Sequence, residues 1–209
     1  IAGIPISLNL PGILITMLMA AILIKGIKES TTMAGIMVVI KLAVIALFVL
    51  TGAFYVKPEN WTPFAPNGFE GVFMGAFIIF FAYIGFDAIA TAAEETKNPQ
   101  KNLPIGIIGS LATCTIVYVL VGLVLTGMVP ISQIDAHAPI AHAMRLVGQD
   151  WVATLTSLGA LTGLTSVLLV LLLAGTRILY ALSRDQFLPQ ILKTVNPKFK
   201  TPTVITILA

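Results

Sequence analysis

Long apolar stretches constrain this chain more than any other feature. A helix that crosses a bilayer needs about 20 mostly apolar residues. Only 10% of the 209 residues are charged, against about 25% in soluble domains. We therefore predict an all-α integral membrane protein. The predicted spans are 10–27, 32–56, 69–95, 103–129 and 150–181, and another begins at 201.

Basic residues fall mostly in alternate connecting segments. Nine lie in one set of connections, whereas the other set holds only Lys57 and Arg145. Loops rich in lysine and arginine stay on the cytoplasmic side of a membrane, so this bias predicts the orientation. The predicted cytoplasmic loops are 25–31, 95–102 and 182–200, and the predicted outer loops are 57–68 and 130–149.

The third span carries features that a simple membrane helix lacks. We expect it to break near 83–87, where Gly85 interrupts the apolar run and Asp87 follows. An aspartate at the centre of a membrane helix costs about 2.5–3.5 kcal/mol on insertion scales. Asp87 could cap a restarted helix, act on a proton or a substrate, or do both. Carbonyl groups freed by the break suit a substrate ammonium, and Phe81 is either a lid over them or an ordinary packing residue.

Lys41 lies deep within the second span. It follows Thr31 by ten residues, which places it about 15 Å into the membrane at the rise of a helix. That depth is near the middle of a hydrocarbon core about 30 Å thick. Burial disfavours the charged form of a lysine, so Lys41 is a candidate proton carrier. The alternative is a static ammonium held by a carboxylate or by carbonyls.

The fifth span is dense in threonine, serine and glycine between residues 154 and 166. Gly159 and Gly163 have the spacing that permits two helices to approach closely. Close packing is the simplest interpretation of most of these small residues. Thr165 and Ser166 could also present hydroxyls to an ion or to Lys41.

Two longer patterns resemble a known family. The run FFAYIGFDAIATAAEETKNPQKNLPIGI, which begins at Phe80, resembles the sixth transmembrane segment of the amino acid–polyamine–organocation (APC) superfamily. It is most similar to the cationic amino acid transporter branch and its bacterial homologues of the ApcT type. The run RILYALSRDQFLP, which begins at Arg177, resembles the loop after the eighth segment.

The resemblance implies a LeuT-type inverted-repeat fold, of which 1–209 would form part of one transporter domain, from segment four to the start of segment nine. We therefore expect a longer protein, and this part alone should not transport. The resemblance assigns the substrate amino group to carbonyls at Phe81, Ala82 and Ile84, with Asp87 close by. It matches Lys41 to a lysine that takes the place of sodium in sodium-driven relatives. The implied neighbours of this lysine are Thr165 and Ser166.

The expected function is proton-coupled symport of L-amino acids across the plasma membrane by alternating access. We expect no enzymatic activity, no metal, no sodium and no cofactor other than coupling protons, and membrane lipids rather than nucleic acid as further partners. A retinal-type receptor could use Lys41, but the sequence around it is aliphatic. An intramembrane aspartyl protease needs two buried carboxylates, whereas Asp87 is the one expected here. A membrane scaffold would not need the broken helix that we expect in the third span.

Overall fold

The computed structural model describes residues 10–85, 89, 96–189, 194, 196 and 201–208. Regular structure in this part of the chain is helical and no strand occurs there, which confirms the predicted helical class. The helices are α1 (Leu10–Lys25), α2 (Ile27–Ala53), α3 (Gly68–Phe80), α4 (Pro99–Met128), α5 (Pro139–Leu146), α6 (Asp150–Arg184) and α7 (Thr203–Leu208).

Three of the described helices are long and apolar enough to cross a membrane. They are the Thr32–Ala53 part of α2, together with α4 and α6. Helix α1 and the stretch Gly68–Tyr83 are apolar but shorter. The lengths and composition of the three long helices agree with an integral membrane protein. A helix can extend beyond the bilayer, so the membrane limits of the spans stay predictions.

Prolines mark where several helices begin. Pro99 and Pro139 open α4 and α5, and Pro58 opens a one-turn 3₁₀ helix over Pro58–Trp61. A proline suits the first turn because the amide it lacks has no partner inside the helix. Asn98, just before α4, takes a left-handed conformation with φ of 49°. The amides of Lys101 and Asn102 donate to its carbonyl, so the chain turns directly into the helix.

The chain divides into two compact units. The central unit is Val38–Gly163, and the terminal unit joins Ile1–Met37 to Leu164–Ala209. The core of the central unit forms where α2, α4, α5 and the start of α6 meet. The buried residues of this core include Phe48, Val124, Met128, Ala143, Met144 and Val152. Phe48 is 1% exposed and Met144 is fully buried, so α5 packs tightly although it has only eight residues.

The connection after α2 is fastened to the end of α4. The Asn60 side chain donates from Nδ2 to the Gly127 carbonyl at 2.7 Å, and the Lys57 amide donates to the same carbonyl at 2.9 Å. The Trp61 indole N–H lies 3.2 Å from Thr126 Oγ1. Gly127 has no room for a side chain, because a Cβ there would lie 2.9 Å from Val56 and Trp61.

The terminal unit contains the contact between α1 and α7. Met19 and Leu23 of α1 and Ile205 of α7 are buried. The Thr201 hydroxyl donates to the carbonyl of Ile24 at 2.8 Å, which fixes the chain before α7 to the end of α1. Gly26, with φ of 150°, separates α1 from α2.

Candidate functional site

The apolar helix α3 stops in the middle of the predicted third span. It ends at Phe80 and continues as a 3₁₀ turn over Phe81–Tyr83. The amide of Ile84 donates to the Phe81 carbonyl at 3.3 Å, and the next residue, Gly85, has φ of 113°. This positive φ favours glycine over residues with a side chain. The α-helical hydrogen-bond pattern therefore ends at Phe81, Ala82 and Tyr83.

Helix α4 holds this interruption through two tyrosines. The Tyr118 hydroxyl donates to the Ala82 carbonyl at 2.8 Å. The Tyr83 hydroxyl lies 2.9 Å from Thr115 Oγ1. The two rings meet edge to face, with centroids 5.3 Å apart and planes at 80°. Thr115 and Tyr118 are three residues apart and share one face of α4, so both contacts come from the same side of that helix.

The predicted substrate residues at the interruption have different surroundings. The Phe81 side chain is 69% exposed and meets Phe80 edge to face at 6.2 Å. Ile84 is also exposed. The Phe81 and Ala82 carbonyls accept the hydrogen bonds described above. Asp87 lies outside the described residues. The substrate roles of all four residues stay predictions.

Lys41 lines a cavity within the central unit. The cavity has a volume of about 220 Å³ and is bounded by α2, α5 and α6. Its lining includes Val44, Phe48, Ile140, Thr156 and Gly159. The lysine is half-buried, and its Cδ lies 3.9 Å from the position that a Cβ would take at Gly163. In the part of the chain that the structure describes, no carboxylate forms an ion pair with this lysine.

The close approach of α2 and α6 depends on a glycine at the cavity wall. A Cβ at Gly159 would lie 2.6 Å from Val44 Cγ1 and 2.9 Å from Val44 Cβ. Real side chains do not approach this closely, so only glycine allows this separation of the two helices. Thr156 is buried and donates its hydroxyl proton to the Ala153 carbonyl at 2.9 Å. The hydroxyl oxygen can therefore act only as an acceptor toward any further partner.

Thr165 and Ser166 follow in α6, beyond Gly163. Ser166 is buried and Thr165 is half-buried, and both take part in interactions. They belong to the terminal unit, whereas Lys41 belongs to the central unit. Their role as neighbours of Lys41 stays a prediction.

An interrupted apolar helix and a lysine that lines a cavity from within an apolar helix are features of membrane transport proteins. The chain belongs to the amino acid permease family, which it matches over residues 4–209. This match confirms the resemblance to amino acid transporters drawn from the runs at Phe80 and Arg177. It also identifies the chain as part of a family of permeases rather than of enzymes.

Individual relatives agree with the family. The chain is 50% identical over 194 residues to the "Methylthioribose transporter" of Bacillus subtilis (strain 168), covering 93% of the chain and 42% of the relative. It is 49% identical over 199 residues to the "Branched-chain amino acid permease BcaP" of the same organism, covering 95% of the chain and 43% of the relative. It is 44% identical over 192 residues to the "Cationic amino acid transporter 9, chloroplastic" of Arabidopsis thaliana, covering 92% of the chain and 34% of the relative. The chain thus spans less than half the length of these relatives.

The sequence pattern does not predict the contact between the interruption and α4. Tyr118 and Ala82 are 36 positions apart, and nothing local to either residue indicates that they meet. One signal was available, because Thr115 and Tyr118 are polar side chains at helical spacing within an apolar run. Such pairs mark a helix face that contacts another polar element.

Proposed function

We propose that the full-length protein is a secondary transporter that carries an L-amino acid together with protons by alternating access. The observation that carries this proposal is the interruption of α3 at Phe81–Tyr83, in a chain whose family is made of permeases. A backbone that leaves the helical pattern at membrane depth needs polar partners, and a substrate can supply them. We propose the LeuT-type inverted-repeat fold as the frame around this interruption.

The substrate amino group would bind carbonyls at the interruption. An ammonium has three donors and no acceptor, so it suits the carbonyls of Phe81, Ala82 and Ile84. The exposed ring of Phe81 is available to close over a bound substrate. Asp87 would supply a negative charge near the amino group.

Coupling to protons would depend on Lys41. Its ammonium would stand where a sodium ion stands in sodium-driven relatives and would stabilise one state of the transporter. The ammonium would release its proton during the cycle. Loss of that proton would weaken the state and permit the opposite opening. Thr165 and Ser166 would be the hydroxyl neighbours of the ammonium, and no sodium would be required.

The test is uptake by the full-length protein in proteoliposomes. The panel contains labelled leucine, alanine and arginine, with an imposed pH gradient and with sodium replaced by choline. We expect uptake of at least one of these amino acids, a rate that follows the pH gradient, and no effect of sodium replacement. Absence of uptake for the whole panel contradicts the proposed function.

Substitution of Lys41 tests the coupling. Lys41→Arg keeps a charge that cannot be lost at any working pH, and Lys41→Ala removes the charge. Both variants should lose the dependence of uptake on the pH gradient. Lys57→Ala is the matched control, because Lys57 is an exposed lysine outside the helices. Unchanged uptake and unchanged proton dependence in Lys41→Ala would contradict the coupling mechanism.

A second substrate class follows from one relative. At 50% identity, the "Methylthioribose transporter" makes a neutral thio-sugar a competing substrate for this chain. Such a compound has hydroxyl donors but no ammonium. Labelled methylthioribose in the same assay separates the two classes. If the protein takes up methylthioribose and no amino acid, methylthioribose replaces the amino acid as the proposed substrate.

We propose the plasma membrane as the location, with the loops 25–31, 95–102 and 182–200 in the cytoplasm. Relatives carry the names "chloroplastic" and "vacuolar" as well, so the location needs its own measurement. A fluorescent fusion of the full-length protein should label the cell boundary. Labelling confined to an internal membrane would contradict this assignment.

A further inference from the structure

The hydrogen bonds around the interruption have a definite direction. A hydroxyl has one proton to donate and two lone pairs that accept. Thr115 donates its proton to the Leu111 carbonyl at 2.8 Å. The bond between Thr115 and Tyr83 must therefore be donated by the Tyr83 hydroxyl. Tyr118 in turn donates its only hydroxyl proton to the Ala82 carbonyl.

Tyr118 is left with an oxygen that can only accept. That oxygen lies 2.8 Å from the Ala82 carbonyl oxygen, which keeps a second lone pair of its own. Two acceptor oxygens therefore stand side by side at the point where the helix pattern ends. An ammonium can donate one N–H to each of them, whereas a ligand with a single donor can satisfy only one.

We propose that Tyr118 is a substrate-binding residue, whose hydroxyl oxygen accepts a hydrogen bond from the substrate amino group beside the Ala82 carbonyl. This inference rests on the proposed function, in which an amino group binds at the interruption. It adds a side chain from α4 to the backbone carbonyls and the nearby Asp87 that the resemblance assigns to the site. The site would then distinguish an amino group from a hydroxyl group by the number of donors.

Tyr83 provides a matched control for Tyr118. The two rings contact each other, and both hydroxyls bond between the interruption and α4. The Tyr83 hydroxyl, however, bonds the side chain of Thr115 rather than a carbonyl of the interruption. A role limited to holding the interruption against α4 predicts similar effects at both tyrosines. A role in binding the amino group predicts an effect that is specific to Tyr118.

The experiment measures two affinities in the full-length protein in proteoliposomes. One ligand is the amino acid of the panel that the wild type takes up, and the other is the α-hydroxy acid with the same carbon skeleton, measured by competition. In Tyr118→Phe we expect the amino acid to bind about ten- to a hundredfold more weakly, the range of one hydrogen bond to a charged group. The preference for the amino acid over the hydroxy acid should fall by a similar factor. In Tyr83→Phe that preference should stay at the wild-type value.

A second variant separates donation from acceptance. Tyr118→Trp keeps an aromatic ring with an N–H donor for the Ala82 carbonyl but has no acceptor. It should lose the preference for the amino acid as Tyr118→Phe does. Restoration of the wild-type preference by tryptophan would overturn the proposal. Wild-type affinities in Tyr118→Phe, or equal weakening of both ligands, would overturn it as well.

The two proposals fail in different measurements. The proposed function fails in the wild-type protein, if no amino acid is taken up. The role of Tyr118 fails in the variants. It is wrong if the wild type takes up an amino acid and Tyr118→Phe prefers this amino acid over the hydroxy acid as strongly as the wild type does. Melting temperatures in detergent for each variant show that the protein compared is folded.

Discussion

Substitution of Gly159 by alanine tests how closely α2 and α6 approach beside Lys41. The added methyl would lie 2.6 Å from Val44 Cγ1, so one of the two helices must shift. Overpacking of this kind costs about 1–3 kcal/mol. Alanine gains about 0.5–1 kcal/mol over glycine inside a helix. We expect Gly159→Ala to be destabilised by about 0–2.5 kcal/mol, the difference between these two effects.

Gly163→Ala is the matched control, one turn further along α6. Its added methyl would meet only Lys41 Cδ, at an ordinary contact distance of 3.9 Å, so it should keep the helix gain of about 0.5–1 kcal/mol. The assay is the apparent melting temperature of the full-length variants in detergent, and Gly159→Ala should melt below Gly163→Ala. Val44→Ala should restore part of the stability of Gly159→Ala, because it removes the nearest atom. Equal melting temperatures, or a lower value for Gly163→Ala, would refute the reasoning.

Two further substitutions test the core and the interruption in the same assay. Phe48→Ala should lower the stability by about 3–5 kcal/mol, because its ring is 1% exposed. Phe54→Ala, at a ring that is 90% exposed, should melt near the wild type. Equal losses of stability in the two variants would contradict the assigned core. Gly85→Ala should cost about 1–3 kcal/mol through its positive φ, since a Cβ there meets no atom within 4 Å. Gly75→Ala, at an open position of α3, should be neutral or stabilised, and a stable Gly85→Ala would argue against the left-handed turn.

The long apolar helices of this chain were predictable because each depends on a local pattern, whereas the eight-residue α5 lies within the predicted outer loop 130–149. Apolar runs near 20 residues long indicate membrane helices whatever lies around them. A glycine after Tyr83-Ile84 indicates a place where the helix pattern can end. The predicted depth of Lys41 needs only the rise per residue of a helix. These inferences need no knowledge of which helices are neighbours.

Contacts between helices were less accessible. The spacing of Gly159 and Gly163 indicates a close approach, but it does not name Val44 as the partner. The bond from Tyr118 to Ala82 joins two segments across a long connection. Its partner is a backbone carbonyl, which every residue carries, so no residue type at position 82 could reveal it. The packing of the helices decides these contacts, and one sequence does not specify that packing by pattern alone.

Protection by substrate tests most directly whether the interruption is the binding site. In the full-length protein with its native cysteines replaced, Cys114 included, Phe81→Cys and Phe73→Cys introduce single thiols on the same segment. Phe81 and Phe73 are 69% and 66% exposed, so their substituted thiols start from similar accessibility. We predict that the transported substrate slows alkylation at position 81 severalfold and leaves the rate at position 73 unchanged. Equal rates at position 81 with and without saturating substrate would contradict binding at the interruption.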